Sequence, residues 1–340
     1  MSINRVQRAI NDIKQGKMVL MVDDEDRENE GDLVYAATFS TPQKVNFMAS
    51  HAKGLICVAL SKKVSDRLDL VPMVVNNNSQ HETAFTVTVD AVTCTTGISA
   101  YERDMTIKIL ADGVSKSSDL VRPGHIFPLI AKKGGTLVRT GHTEGSVDLC
   151  KLAGLNSVAV ICEVMKDDGT MARRDDLDIF CKKHDINTIY ISDIVEYRLK
   201  HESLVREVAS SNTSFLGADA RRVDMVDHEG NHHTVYEFGK FKETSAVKFH
   251  NILWDDELFS NSEKFNGMMK AIEYLKKNGG VLVFIGTENS FSKEIREFGV
   301  GAQILNKIGV KNIRLISSIK GCEFVGLSGF GLKIVENLEL

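Results

Sequence analysis

The stretch Asp23-Asp24-Glu25-Asp26-Arg27-Glu28-Asn29-Glu30-Gly31-Asp32 narrows most what this chain can become: seven of its ten residues are carboxylates. It stands between two apolar runs, Met18-Val19-Leu20-Met21-Val22 and Leu33-Val34-Tyr35-Ala36-Ala37, each with the length and bounding of a buried strand. The decapeptide is therefore expected to be a connection held between two strands. Crowded carboxylates repel one another, and their acid forms are favoured unless a cation is supplied. A hard divalent cation suits an all-oxygen cluster, and Mg²⁺ is typically held by one or two carboxylates with water and substrate completing its shell. The competing reading is a solvated acidic turn, the usual meaning of a block of like charge. Two residues favour the first. Arg27, inside the acids, can pair with them or bind an anion, and Gly31 permits a tight backbone just before Asp32. An EF-hand is excluded, because no leading Asp has both a Gly sixth and a Glu twelfth.

At 340 residues the chain has room for two domains of the usual ~100–200 residues. With 43% hydrophobic and 26% charged residues it has the composition of a soluble globular protein. Its formal net charge of -4 argues against a binder of nucleic-acid backbone, which would be basic. No run of about 18 apolar residues is present, so no membrane-spanning helix is expected. Met1-Ser2-Ile3-Asn4-Arg5 lacks the apolar core of a signal peptide, and a cytoplasmic location is the expectation. The six cysteines are scattered without a C-x-x-C pair, which predicts reduced, mostly buried thiols and leaves a cysteine zinc site unsupported.

Helical spacing of Val6, Ala9, Ile10 and Ile13 predicts a helix over 3–15 that stops at Gly16. Thr41-Pro42 starts a second, a capping hydroxyl followed by a proline where no N–H is missed, and it runs to about Lys53-Gly54. Residues 55–60 read as a buried strand, 74–81 as a polar loop and 85–89 as a half-exposed strand. Thr95-Thr96-Gly97-Ile98-Ser99 is a turn before a helix over about 100–111. Residues 117–128 hold two of the four prolines and are expected to be a stiff loop that fixes His125 in place. Residues 135–139 look like a short strand running into Thr140-Gly141-His142-Thr143-Glu144-Gly145, with a helix over about 146–153 behind it. A strand, a Gly/Thr-rich turn and a helix N-terminus make a natural anion site. It is not a Walker P-loop, since G-K-[ST] is absent. Residues 157–165 form the best strand of this half and carry Glu163, a carboxylate in an otherwise apolar run. An acid–base role is preferred there over that of a paired structural Glu. After a turn at 167–172, helix 175–184 and strand 188–191 close the half. The alternation indicates an α/β or α+β fold with a mixed sheet.

Residues 197–213 are charged and helical, then serine-rich, and the domain boundary is expected there: one domain over 1–200, a linker over 201–213 and a smaller α/β domain over 214–340. The second half has strands at 233–238, 245–250, 280–285 and 313–317, alternating with helices at 263–277 and 292–308.

Three distant pieces have compatible chemistry: the acidic loop, the Arg139-to-Thr143 turn, and Glu163 with His125. A divalent metal bound by oxygen and one imidazole, beside a phosphate-ready turn, suits a sugar phosphate. His125 and His142 both stand in glycine-containing loops, better places for function than an apolar face. Residues 1–200 resemble the 3,4-dihydroxy-2-butanone 4-phosphate synthase family. The resemblance rests on the acidic decapeptide, Thr95-Thr96-Gly97-Ile98-Ser99-Ala100, Arg122-Pro123-Gly124-His125, Gly141-His142-Thr143-Glu144, and Cys162-Glu163 followed by Asp167-Asp168-Gly169-Thr170-Met171-Ala172-Arg173. It implies conversion of ribulose 5-phosphate to 3,4-dihydroxy-2-butanone 4-phosphate and formate in riboflavin biosynthesis, with Mg²⁺ or Mn²⁺ and no zinc. It implies Glu28 and His142 as metal ligands and Glu163 and His125 as catalytic residues. Arg27, Glu28, Asp32, Arg139, Thr140, Gly141, His142, Thr143 and Glu163 become substrate contacts. A homodimer with sites near the subunit interface is implied, without nucleic-acid or membrane partners.

Residues 214–340 resemble GTP cyclohydrolase II, most clearly in Gly299-Val300-Gly301-Ala302-Gln303-Ile304-Leu305, Gly309-Val310-Lys311 and Val325-Gly326-Leu327-Ser328-Gly329-Phe330-Gly331-Leu332. That family's three zinc cysteines fall on Leu253, Lys264 and Asn266 when aligned on His250 and Phe259, and none of these replaces a thiolate. Its R-Q-E-G-R segment falls on Gly286-Thr287-Glu288-Asn289-Ser290, where only the Glu remains. The expectation is a domain without cyclohydrolase activity, the alternative a bifunctional enzyme that also opens GTP.

Overall fold

The computed structural model describes residues 2–25, 27–79, 83–239, 243–286, 299–317 and 330–340. Asp26, the end of the expected loop 74–81, the start of the expected helix 292–308, residues 287–290 and 325–329 of the cyclohydrolase-like motifs, and Cys322 lie outside the described residues. The chain divides into two compact units, Met1–Arg198 and Leu199–Leu340.

The first unit runs α1 (Ser2–Lys14), β1 (Val19–Val22), β2 (Gly31–Ala36), α2 (Pro42–Phe47), β3 (Cys57–Ser61), α3 (Lys62–Arg67), β4 (Val89–Ala91), α4 (Ala100–Ala111), β5 (Leu120–Ala131), α5 (His142–Leu152), β6 (Val158–Glu163), α6 (Arg174–His184), β7 (Asn187–Tyr190) and α7 (Ile191–Leu199). Its seven strands form one mixed sheet in the order β4-β5-β3-β6-β2-β1-β7. The strands alternate apolar side chains to both faces. Leu20, Val22, Leu33, Tyr35, Val58, Leu60, Val160 and Cys162 pack with Val45 and Met48 after Thr41 caps α2, and with Ile107 and Leu110 of α4. The intervening residues meet α5, which lies across β1, β2, β3, β5 and β6. Asp32 and Glu163, Cα partners across β2 and β6, alternate with Leu33 and Cys162 and therefore point to the α5 side.

Four local expectations are corrected here. Residues 135–139 are not a strand: Gly135–Leu137 is a 3₁₀ turn entered through Gly134 and Gly135 at φ 95° and 63°. The turn wraps the buried Asp148 carboxylate, which accepts from Thr136 N at 2.7 Å and from Arg198 Nη1 at 2.6 Å. Helix α5 begins at His142 rather than near 146, so the anion-ready residues His142 and Thr143 lie inside its first turn. Residues 120–128 are strand, not loop. Pro128 has no N–H to donate, but its carbonyl still takes part and accepts from Thr86 N at 3.0 Å. The half-exposed strand expected over 85–89 is reduced to bridges, with β4 starting at Val89.

The second unit runs β8 (Val205–Phe215), β9 (Ala218–Asp227), β10 (His232–Phe238), β11 (Thr244–Asn251), α8 (Asp255–Ser260), α9 (Ser262–Asn278), β12 (Gly280–Ile285), α10 (Gly299–Lys307), β13 (Asn312–Ser317) and β14 (Lys333–Glu339). Its sheet has the order β14-β13-β11-β12-β10-β9-β8. Leu275, Ala271 and Ile272 of α9 pack on Ala246, Leu282 and Phe238. The expected linker 201–213 is instead largely β8. Leu216 and Gly217, at φ 48° and 79°, close a two-residue hairpin that pairs β8 with β9 through backbone bonds, so the strand needs no apolar alternation. Among the described residues no helix is long and apolar enough to cross a membrane.

His250 on β11 gives this unit a pH signature. Burial, with Lys248 and Lys264 adding to it, lowers its pKa from 6.5 to about 4, and its ring stands edge-on to Phe284 at 5.5 Å. Between those two pH values the unfolded chain takes up a proton that the folded chain refuses, so this contribution to stability is complete above 6.5 and is lost as pH falls through 4. The His250→Phe variant is expected to gain stability over the wild type as pH falls from about 7 to about 4.5, read by denaturant titration at several pH values.

Candidate functional site

The acidic loop is folded around its own first residue. Asp23, fully buried, accepts from Arg27 Nη1 at 2.9 Å, from Glu28 N at 3.0 Å and from Glu30 N at 2.8 Å. Arg27 in turn meets Glu28 Oε1 at 3.0 Å with only 6% of its side chain exposed, so the one cation among the acids pairs with two of them. Asn29 turns the chain through φ 55°. From α6 and the residue before it, Arg173 donates to the carbonyls of Glu28 and Asn29 at 2.7 and 2.5 Å, and Arg174 to that of Asp23 at 3.4 Å. Gly31 serves packing rather than a turn: it lies in β2, where a Cβ would stand 2.8 Å from Leu177 Cδ1 of α6 and would require that side chain to shift.

This fold brings Glu28 and Asp32 to the first residue of α5. His142 Nδ1 lies 3.6 Å from Glu28 Oε2, and His142 Nε2 lies 3.8 Å from Asp32 Oδ1. Neither is a hydrogen-bond distance. His142 Nε2 and Asp32 Oδ1 are buried with no hydrogen-bond partner, and a buried polar atom left so asks for an explanation. Burial pushes the Asp32 carboxyl up to about 7, with Glu163, Glu28 and Glu30 adding to it against the pull of His142. Burial also works against charge on His142, but Asp32 and Glu28 outweigh it and raise that pKa to about 9.

A divalent ion fits these residues. One ligand atom each of Asp23, Glu28 and His142 falls within 4.8 Å of the others. Asp23 already accepts three hydrogen bonds, whereas Glu28 Oε2 and His142 Nδ1 face each other beyond hydrogen-bond distance, with room for an ion between them. Two ligands each about 2.1 Å from one ion stand roughly 3–4 Å apart, the spacing seen here.

Glu163 ends β6 beside Asp32 and is held from below. Its Oε2 accepts from Leu55 N at 2.8 Å and its carbonyl from Gly54 N at 3.1 Å. A Cβ on Gly54 would come within 2.5 Å of that same Oε2. The Arg139-to-Thr143 turn lies at the start of α5. Arg139 Nη1 meets Glu144 Oε2 at 2.6 Å, and Glu144 Oε1 accepts from Lys132 N at 3.0 Å, so a buried carboxylate anchors the guanidinium beside the helix N-terminus. Thr140 and Gly141 lead into that N-terminus, and Thr143 is buried in its first turn. A Cβ at Gly141 would strike Arg139 Nη1 at 2.2 Å.

His125 stands apart from this group. It lies in a bulge of β5, where the register passes from Val89↔Ile126 to Asp90↔Val121. Phe127, two residues on, and Ile161, two residues before Glu163, are both Cα partners of Cys57. Two strand spacings therefore separate the backbones of His125 and Glu163, about 10 Å. Two features of the site were not singled out in the sequence: Asp23 as the centre of the loop, and Asp90, which holds His125. Asp90 carried the same signal as Glu163, a carboxylate between apolar neighbours, here Val89 and Ala91.

The family model of 3,4-dihydroxy-2-butanone 4-phosphate synthase matches residues 7–197, and that of GTP cyclohydrolase II matches residues 285–339. A 3,4-dihydroxy-2-butanone 4-phosphate synthase of Sulfurospirillum multivorans is 66% identical over 336 residues, covering 99% of this chain and 94% of its own. A two-domain 3,4-dihydroxy-2-butanone 4-phosphate synthase from A. baumannii superposes with a TM-score of 0.69 at 34% identity, over 98% of this chain and 100% of that one. Another synthase, solved in complex with two magnesium ions, superposes with a TM-score of 0.56 at 38% identity, over 58% of this chain and 97% of its own. By these matches, which span both units, the chain belongs to the 3,4-dihydroxy-2-butanone 4-phosphate synthase family, enzymes of riboflavin biosynthesis.

Proposed function

We propose that the chain converts D-ribulose 5-phosphate to 3,4-dihydroxy-2-butanone 4-phosphate and formate, with Mg²⁺ or Mn²⁺ held by Glu28 and His142. One observation carries this reading: two buried ligand-type atoms, Asp32 Oδ1 and His142 Nε2, without partners beside a carboxylate 3.6 Å from the same imidazole. When bound, the ion would neutralise negative charge developing on neighbouring substrate oxygens. The solved relative that holds magnesium supports a divalent ion here.

The chain's own residues divide the remaining work. Release of a carbon as formate requires an enediol, a dehydration and a skeletal shift, each of which moves protons on and off oxygen and carbon. Glu163, with one carboxylate oxygen engaged by Leu55 N, is held firmly enough to take and return a proton at substrate carbon. Asp32, its carboxyl pushed up to about 7, can bind a substrate hydroxyl in either protonation state. Arg27 lies against Glu28 and holds its orientation. The phosphate is assigned to Arg139, Thr140, Gly141, His142 and Thr143, where helix N–H groups and the anchored guanidinium favour an anion.

A homodimer completes the reading. Exposed Val92, Ile98, Tyr101, Met105 and Val121 all come from the β4–α4–β5 side of the sheet, which also bears His125. Apolar side chains gathered on one side mark an interaction surface. His125 would serve the reaction from there. The second unit is read as inactive toward GTP, because Leu253, Lys264 and Asn266 stand where thiolates are needed. Zinc is accordingly not required.

Glu28→Ala and His142→Ala are each expected to abolish Mg²⁺-dependent formate release from ribulose 5-phosphate while leaving the circular-dichroism spectrum unchanged; wild-type turnover in either removes the metal assignment. Glu163→Gln is expected to bind substrate as before and to lose roughly 10²–10⁴-fold in kcat, measured under saturating substrate. An unchanged kcat would make Glu163 structural. Zinc-loaded protein given GTP is expected to release no formate, and its release would establish the bifunctional alternative.

A further inference from the structure

We propose that Asp90 is a positioning residue that fixes the tautomer and direction of the His125 ring; this rests on the reading that His125 takes part in the reaction. Asp90 grips His125 at two points. Its Oδ1 accepts from His125 N at 2.8 Å, and its Oδ2 lies 2.7 Å from His125 Nδ1. An ionised carboxylate only accepts, so Nδ1 carries the proton and the neutral ring presents the lone pair of Nε2. The two ends of the pair differ in solvent access. The Asp90 side chain is 8% exposed and that of His125 45%, so the anchor is buried and the working edge is open.

The surroundings are built to close on this pair. The register shift between Val89 and Asp90 lets β5 bulge so that His125 turns back onto the carboxylate. Gly124, in the bulge, lies so close to β4 that a Cβ would stand 2.2 Å from Asp90 N. On the other side Gly97, at φ 77°, leaves room where a Cβ would meet Asp90 Oδ2 at 2.0 Å and His125 Nδ1 at 2.6 Å. The Gly97 turn is itself fixed by Glu102, whose carboxylate accepts from Thr95, Thr96, Gly97 and Ser99. Two segments distant in sequence thus each contribute a glycine to one carboxylate–imidazole contact. A purely structural aspartate would need only the backbone N–H of His125. Occupation of the ring nitrogen as well is the arrangement that orients a catalytic imidazole.

The test begins with the full-length wild type. ¹⁵N NMR of the labelled imidazole is expected to show the neutral ring of His125 protonated on Nδ1; protonation on Nε2 overturns the proposal without any variant. Asp90→Asn, nearly the same size, can turn its amide N–H₂ to Nδ1 and favour the opposite tautomer. It is expected to move the proton to Nε2 and to lower kcat roughly 10²–10⁴-fold with little change in KM. Retained kcat overturns the proposal, as does lost kcat with an unmoved tautomer. Adding Asp90→Asn to His125→Ala is expected to cost nothing further, since Asp90 acts only through the ring; a further loss makes Asp90 structural. If His125→Ala alone keeps full turnover, it is the role of His125 that fails, and the wild-type NMR still judges the contact.

Discussion

The buried carboxylate of Asp23 is the constraint on which the first unit's chemistry depends. Seven acids in ten residues would disperse into solvent if nothing restrained them. Asp23 prevents this by turning the loop's own N–H groups inward, with Arg27 supplying an opposite charge from within the loop and Arg173 and Arg174 further ones from outside it. The repulsion that argues for a metal is thus partly met within the chain. Beside Asp23, Glu28, Asp32 and His142 stand together, and two buried atoms among them, Asp32 Oδ1 and His142 Nε2, find no partner. The loop delivers two of these residues and the first turn of α5 the third.

Charge and burial are arranged differently at the two histidines. His142 sits at a helix start, enclosed by carboxylates that raise its pKa to about 9. Its nitrogens point at groups too distant for hydrogen bonds. His125 is half-open to solvent and has one nitrogen held by one buried acid. The first arrangement suits a ligand and the second a proton carrier. His125 belongs to β5 and His142 to the start of α5, and each faces a different buried carboxylate.

Much of this was legible in the sequence, for identifiable reasons. The apolar runs flanking the acids became β1 and β2, and the Thr41-Pro42 cap started α2, because burial pattern and capping are local signals. Glu28, Asp32, His142 and Glu163 were each named, and they do converge. The misreadings share another cause. Residues 135–139 follow a buried acid, Asp148, that comes later in the chain and was not suspected of shaping them. Strand β8 is polar along its length, so its pairing rests on backbone bonds and a two-residue turn that side-chain alternation does not report. Gly31 was credited with a turn, and its reason lies in a helix more than a hundred residues away.

That last contact reaches beyond the local geometry. Leu177 occupies the space any side chain at position 31 would need, and the helix carrying it also supplies Arg174, which grips the acidic loop. A side chain at position 31 requires the end of the Leu177 side chain to shift, so the packing of the acidic loop and that of α6 are tied to each other.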